Sequence, residues 1–363
     1  MAEKNFHNPN RHLMYLLFCL SFVFFILAKI IPSREAKVLK ERMVAASWIM
    51  SHAMEVIREC REERGLPIDP AYDVNLTGII GVRTSPFTTT LGNLKSKRTS
   101  ANPNMAGLIV FLLREAGVGS GDIIAVGASS SFPGLLLAVL SAAKAMDVEP
   151  LVIISLGASQ WGANHPQFHL LHMQDCLEKS GVLSFRPIGV SLGGDQDTGR
   201  DMTEEGRVLL EKDMHDSVFP VLSEGSLKAN VASRMRLYSQ NASGRPIEAF
   251  VNIGGSWTNL GIDSSILELE PGLAKMSRFP PEEKQGVIHA MAALDIPVIH
   301  LLFVHGLVKK YGLAWDPVPL PQPGEGGLYR HVAEKQKSFL FIALVYIVLF
   351  GMVLGLGIKR FTL

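Results

Sequence analysis

Apolar positions along this chain fall into three kinds of run, and each predicts a different element. Short, continuous, β-branched runs at Leu76 to Val82, Ile123 to Ala128 and Leu151 to Leu156 predict buried strands, since a strand covered on both faces has no polar side to alternate with. Between the last two lies Phe132 to Met146, a helical stretch rich in Leu and Ala, so strand, helix and strand form a βαβ unit with a parallel pair. Later strands are predicted at Ile188 to Leu192, Glu248 to Ile253 and Pro297 to Phe303, with helices near 166–180, 203–216, 226–240 and 282–294. The expected fold is α/β, a mostly parallel sheet with flanking helices.

The remaining apolar runs are longer. Leu13 to Ile31 and Phe339 to Ile358 are each close to the twenty residues a bilayer core requires, and predict two transmembrane helices. Under that reading the chain divides into a tail at 1–12, a span at 13–31, a stalk or docking helix at 33–65, an α/β domain at 66–311, a Pro/Gly linker at 312–338, a span at 339–358 and a tail at 359–363. The expected localisation is a two-pass cell-membrane protein. Lys and Arg near the spans, among them Arg34, Lys37, Arg330 and Lys335 on the domain side, lean toward a cytoplasmic domain. Gly351 and Gly355 form a G-x-x-x-G along which a second copy could pack.

Composition narrows the partners. With 35 basic and 34 acidic residues the net charge is +1, which removes the electrostatic case for a nucleic-acid partner. Three cysteines far apart cannot build the disulfide framework of a small secreted domain.

Chemistry-bearing residues cluster in the turns after predicted strands. Gly127-Ala128-Ser129, Gly157-Ala158-Ser159 and Gly254-Gly255-Ser256 repeat one small, hydroxyl-bearing pattern, and in open parallel sheets ligands bind beyond the carboxyl ends of the strands. Ser129, Ser130 and Ser131 precede a helix and suit a carboxylate or phosphate; the dinucleotide and P-loop fingerprints are absent, and no cofactor is implied. The loop from 83 to 98 carries Arg83, Thr88, Lys95, Lys97 and Arg98, an inventory that can grip carboxylates. Asn252, Gly254 and Gly255 supply a close-fitting ligand wall. His165, His169, His172 and Cys176, spaced by four, three and four, stack on one helix face as candidate ligands for zinc or another borderline metal. Ser191 sits in a G-x-S-x-G at 189–193, but the loop that follows is too long for a nucleophile elbow.

The G-V-R-T-S-P-F-T-T-T-L-G stretch at 81–92, G-A-S-S-S-F-P-G at 127–134 and N-I-G-G-S-W-T-N-L-G at 252–261, framed by the two apolar runs, resemble the bacterial poly-gamma-glutamate system protein family. The resemblance implies association with other poly-γ-glutamate synthesis and export components at the membrane, and brings no catalytic residue with it. The resulting expectation is an accessory protein whose α/β domain binds a carboxylate-rich ligand, either the polymer or its glutamate precursor. A hydrolase or transferase of γ-glutamyl amides and a non-catalytic membrane scaffold are the alternatives.

Overall fold

The computed structural model of the chain describes residues 9–30, 34–276, 278–330 and 339–359. They fall into two units, one drawn from Met1–Lys40 with Tyr329–Leu363 and the other from Glu41–Leu328. In chain order the helices and strands begin α1 (Pro9–Ile30), α2 (Arg34–Glu63), α3 (Leu94–Ser100), α4 (Asn104–Glu115), β1 (Ile123–Ser129), α5 (Pro133–Met146) and β2 (Glu149–Ser155). There follow β3 (Asn164–His165), β4 (Phe168–His169), α6 (Leu170–Ser180), β5 (Gly189–Ser191), α7 (Glu204–Asp216), β6 (Val221–Leu222), α8 (Leu227–Ala242) and β7 (Ile247–Ile253). The larger unit ends with α9 (Trp257–Leu260), β8 (Gly272–Ala274), α10 (Val287–Ala292), β9 (Val298–Leu301) and α11 (Val304–Tyr311).

Seven strands form one sheet in the order β6-β5-β2-β1-β7-β9-β8, parallel throughout except for the edge strand β8. The α/β class and the mostly parallel sheet therefore match the periodicity, because β1 and most of β2 and β7 are buried apolar runs with helices on either face. From β1 the chain winds outward through β2, β5 and β6, then returns to the other side of β1 with β7. The strand order reverses there, which opens a crevice beyond the carboxyl ends of β1 and β7. Tyr238 on α8 closes the core beneath: its ring meets Phe250 edge-on at 6.3 Å and its hydroxyl donates to the Val126 carbonyl at 2.9 Å. Burial raises the Tyr238 pKa, so the phenol keeps that proton.

At four places the structure corrects or refines the expected layout. Of the run Leu76 to Val82, residues 77–81 are buried but pair with no strand, while Leu76 is exposed; Arg61 on α2 donates to the carbonyls of Gly78 at 3.0 Å, Ile80 at 2.9 Å and Pro67 at 3.2 Å. A guanidinium thus satisfies main-chain groups that a neighbouring strand would otherwise take. Second, within the larger unit α2 buries one face at helical spacing through Met43, Ala46, Met50, Ala53 and Ile57. Third, residues 313–326 lack regular structure but are tied down: Arg98 holds Asp316, while Asn104 donates to Gln322 O and accepts from Gly324 N. The end of the linker at 331–338 and the tail residues 1–8 and 360–363 lie outside the described residues.

Fourth, among the described residues no helix is long and apolar enough to cross a membrane, which overturns the two expected spans and the two-pass localisation. The two helices concerned run over Pro9–Ile30 and Phe339–Lys359. These helices belong to the smaller unit, where Ser21 Oγ and Tyr346 OH share a hydrogen bond at 2.8 Å. Gly351 has open space around the position of a Cβ, while the surroundings of Gly355 lie outside the described residues.

Candidate functional site

The crevice holds a cavity of about 260 Å³, floored by the ends of β1 and β2 and walled by the segments that follow β1, β2, β5 and β7. Ser129, Ser131, Ser155, Ser159 and Ser256 turn toward it, joined by Thr89 and Thr90 from the loop before α3. All three small-hydroxyl turns singled out in the sequence therefore meet in one place. Ser129 Oγ donates to Ser131 Oγ at 3.0 Å, and Ser131 Oγ accepts from the Ser159 N–H at 3.0 Å, so the first two turns are cross-linked. Gly134 lets the start of α5 approach α3, since a Cβ there would stand 2.5 Å from the Ser100 carbonyl oxygen. Gly254, at φ +78, turns the chain out of β7 in a conformation that side chains disfavour.

Lys97 is the cation of the site. Asn93 caps α3 by accepting from the Ser96 N–H at 2.9 Å, and the helix aims Lys97 inward until only 2% of the residue is exposed. Its Nζ donates to the Ser131 carbonyl and to Ser159 Oγ at 2.8 Å, and lies 3.7 Å above the Phe132 ring. Burial depresses its pKa to about 7, with no carboxylate among the causes to hold the charge in place. On the rim stand Asp201, which accepts from the Asp195 N–H at 3.0 Å, and Trp257, which is 38% exposed.

The other predicted residues sort themselves by geometry. Gly255 lines the cavity, whereas Asn252 lies below it, donating to Gly254 O at 3.0 Å and to His300 Nδ1 at 3.1 Å. Burial lowers the His300 pKa to about 4, so that ring is neutral. Ser130 is buried with its hydroxyl unpartnered, and Thr88 is taken up by Ser85 and Asn164. Arg83 and Lys95 are exposed and line no part of the cavity. Arg98 grips Asp316 through Nε at 2.6 Å and Nη2 at 2.5 Å, a bidentate pair that raises its pKa and leaves it no role at the site. The basic loop thus contributes one inward lysine and no outward-facing clamp.

The metal expectation fails on the cysteine. Cys176 is bonded to Cys60, joining α6 to α2 across 116 residues, and a disulfide sulfur is no thiolate ligand. His169 Nε2 pairs with Asp213 at 2.8 Å, His172 Nδ1 accepts from the His169 N–H at 3.3 Å, and His165 Nδ1 accepts from the Gln167 N–H at 3.2 Å. Among the described residues no group of three or more His, Cys, Asp or Glu side chains could hold a metal ion. Structural disulfides persist in oxidising compartments, which also runs against the lean toward a cytoplasmic domain. Ser191, the central serine of the G-x-S-x-G, is buried and donates to Asp197 Oδ1 at 2.8 Å, beside the wholly buried Arg234–Asp197 pair at 2.6 Å.

Sequence reasoning missed Ser155 and did not single out Thr89 and Thr90, while Trp257 entered it only as the aromatic of the 250–261 stretch. It counted Ser159 only within the repeated turn. The sequence shows Asp201 only as one of three acids, with Asp195 and Asp197, in a loop that reads as solvated or as a cation site; that the segment after β5 loops back over the cavity is visible only in three dimensions. Fold and site together define a doubly wound α/β protein with a hydroxyl-lined crevice at its topological switch point. No family model, curated protein or solved structure matches the chain.

Proposed function

We propose that this protein binds a small amino-acid-like ligand in the crevice, in particular glutamate or the end of a γ-glutamyl chain. One observation carries the reading: hydroxyl donors from three strand ends converge on a cavity that also carries one carboxylate, Asp201. Such a lining complements a ligand bearing both charges. Hydroxyls and main-chain N–H groups receive the carboxylate, and Asp201 receives the ammonium. Glutamate and a γ-glutamyl end each carry both groups. The cavity's volume suits one such unit and excludes a coil of polymer. The resemblance to the poly-gamma-glutamate system family supports the same ligand class and an accessory role beside other synthesis components.

Calorimetric titration with glutamate, γ-glutamylglutamate and glutarate tests the pairing of charges. Glutarate, which lacks the ammonium, is expected to bind about tenfold more weakly, a difference of about 1.4 kcal/mol. Asp201→Asn is expected to erase that preference. Equal affinity for glutarate and glutamate, or a preference that survives Asp201→Asn, contradicts the assignment.

A further inference from the structure

The same cavity holds a pairing that ligand binding alone does not require. Ser159 Oγ lies 2.8 Å from Lys97 Nζ, both side chains line the cavity, and both residues are nine-tenths or more buried. We infer that Ser159 and Lys97 form a nucleophile and general-base pair that accepts the acyl group of a small amide or ester. The inference uses the crevice but not the identity of its ligand.

A serine hydroxyl becomes a useful nucleophile only when a neighbour takes its proton, and a lysine can do so only when it is neutral. Here the ammonium has no carboxylate partner, and burial brings its pKa to about 7, so the free amine is well populated near neutral pH. The carbonyl of Ser131 fixes one N–H of that amine and Phe132 covers it. The nitrogen lone pair is then available to the Ser159 hydroxyl. A surface lysine paired with an acid would present the opposite arrangement, held charged and unable to accept a proton.

The step balances without a cofactor. Ser159 Oγ bonds to the substrate carbonyl carbon while its proton passes to Lys97 Nζ. The tetrahedral adduct collapses, the bond to the amine or alcohol breaks, and the Lys97 ammonium returns the proton to that leaving group. Water, or an acceptor amine, then attacks the acyl-serine, gives its proton to Lys97 and restores the Ser159 hydroxyl as the acid or new amide departs. The main-chain N–H groups of Gly255 and Ser256 on the rim donate to no other group among the described residues, and are available to an oxyanion.

Intact-mass and peptide mapping of the full chain after exposure to a small fluorophosphonate tests the pair. The expected result is one adduct, on Ser159, absent in Ser159→Ala. Lys97→Met is expected to slow labelling about 100-fold, and Lys97→Arg to give no rescue, since a guanidinium stays protonated. In the unaltered protein, which removes any question of variant folding, the labelling rate should climb through about pH 7 and level off above it. No adduct, an adduct on another serine, or a rate flat across that range overturns the inference. Labelling of Ser159 in a protein that shows no calorimetric response to glutamate upholds the inference and removes the ligand reading.

Discussion

Lys97 sets the residue-scale physics of the site. Its pKa falls from 10.5 in the unfolded chain to about 7 in the folded one, so between those values the unfolded state binds more protons. The part of the stability set by this group is then greatest above about pH 10.5, falls as pH drops toward 7, and changes no further below that. Urea unfolding at about pH 6, 8 and 10 should show this slope in the unaltered protein, and Lys97→Met should lose it. A slope unchanged by the substitution would mean the ammonium is not buried as described. The sequence shows Lys97 as one of several cations in a basic loop, because charge is visible in one dimension and burial is not. Arg98, its neighbour, faces Asp316, which lies 218 residues away in the chain, a pairing only the tertiary fold reveals.

At the scale of elements, two contacts carry predictions. Arg61 satisfies three carbonyls of the 67–80 segment, so Arg61→Leu should destabilise the larger unit by roughly 2–4 kcal/mol, read as a lowered denaturation midpoint with an unchanged slope. The Cys60–Cys176 bond closes a loop of more than a hundred residues; on loop-closure entropy its removal in the Cys60→Ala, Cys176→Ala pair should cost about 5 kcal/mol. Thiol counting on the denatured, unreduced chain should find one free cysteine, Cys19. Elements with strong periodicity were legible: β1, α5, β2 and β7 lie within two residues of their sequence-based bounds. The run at 76–82 misled because an apolar, β-branched stretch records burial, and here a guanidinium rather than a strand met its backbone. The helices α3 and α4 went unread because their sequence looks like an extension of the basic loop followed by a core run.

Across the larger unit, strand order does what no single motif could. Reversal at β1 gathers the turns at 127–134, 157–159 and 254–256 at one mouth, and the echo among them was readable in advance because each follows a strand. The closing of the cavity by Asp201 and Trp257 depended on loops whose paths no pattern encodes. The most direct test of the account is a calorimetric titration of γ-glutamylglutamate into the unaltered protein and into Gly255→Leu. Gly255 has ordinary backbone angles, and a Cβ there would meet only Leu302 at 3.6 Å, so the leucine should fill the crevice and spare the fold. The account predicts saturable one-to-one binding that weakens at least about 30-fold in Gly255→Leu, with the melting temperature of the free protein unchanged. Absence of saturable binding, or equal affinity in the two proteins, would contradict it.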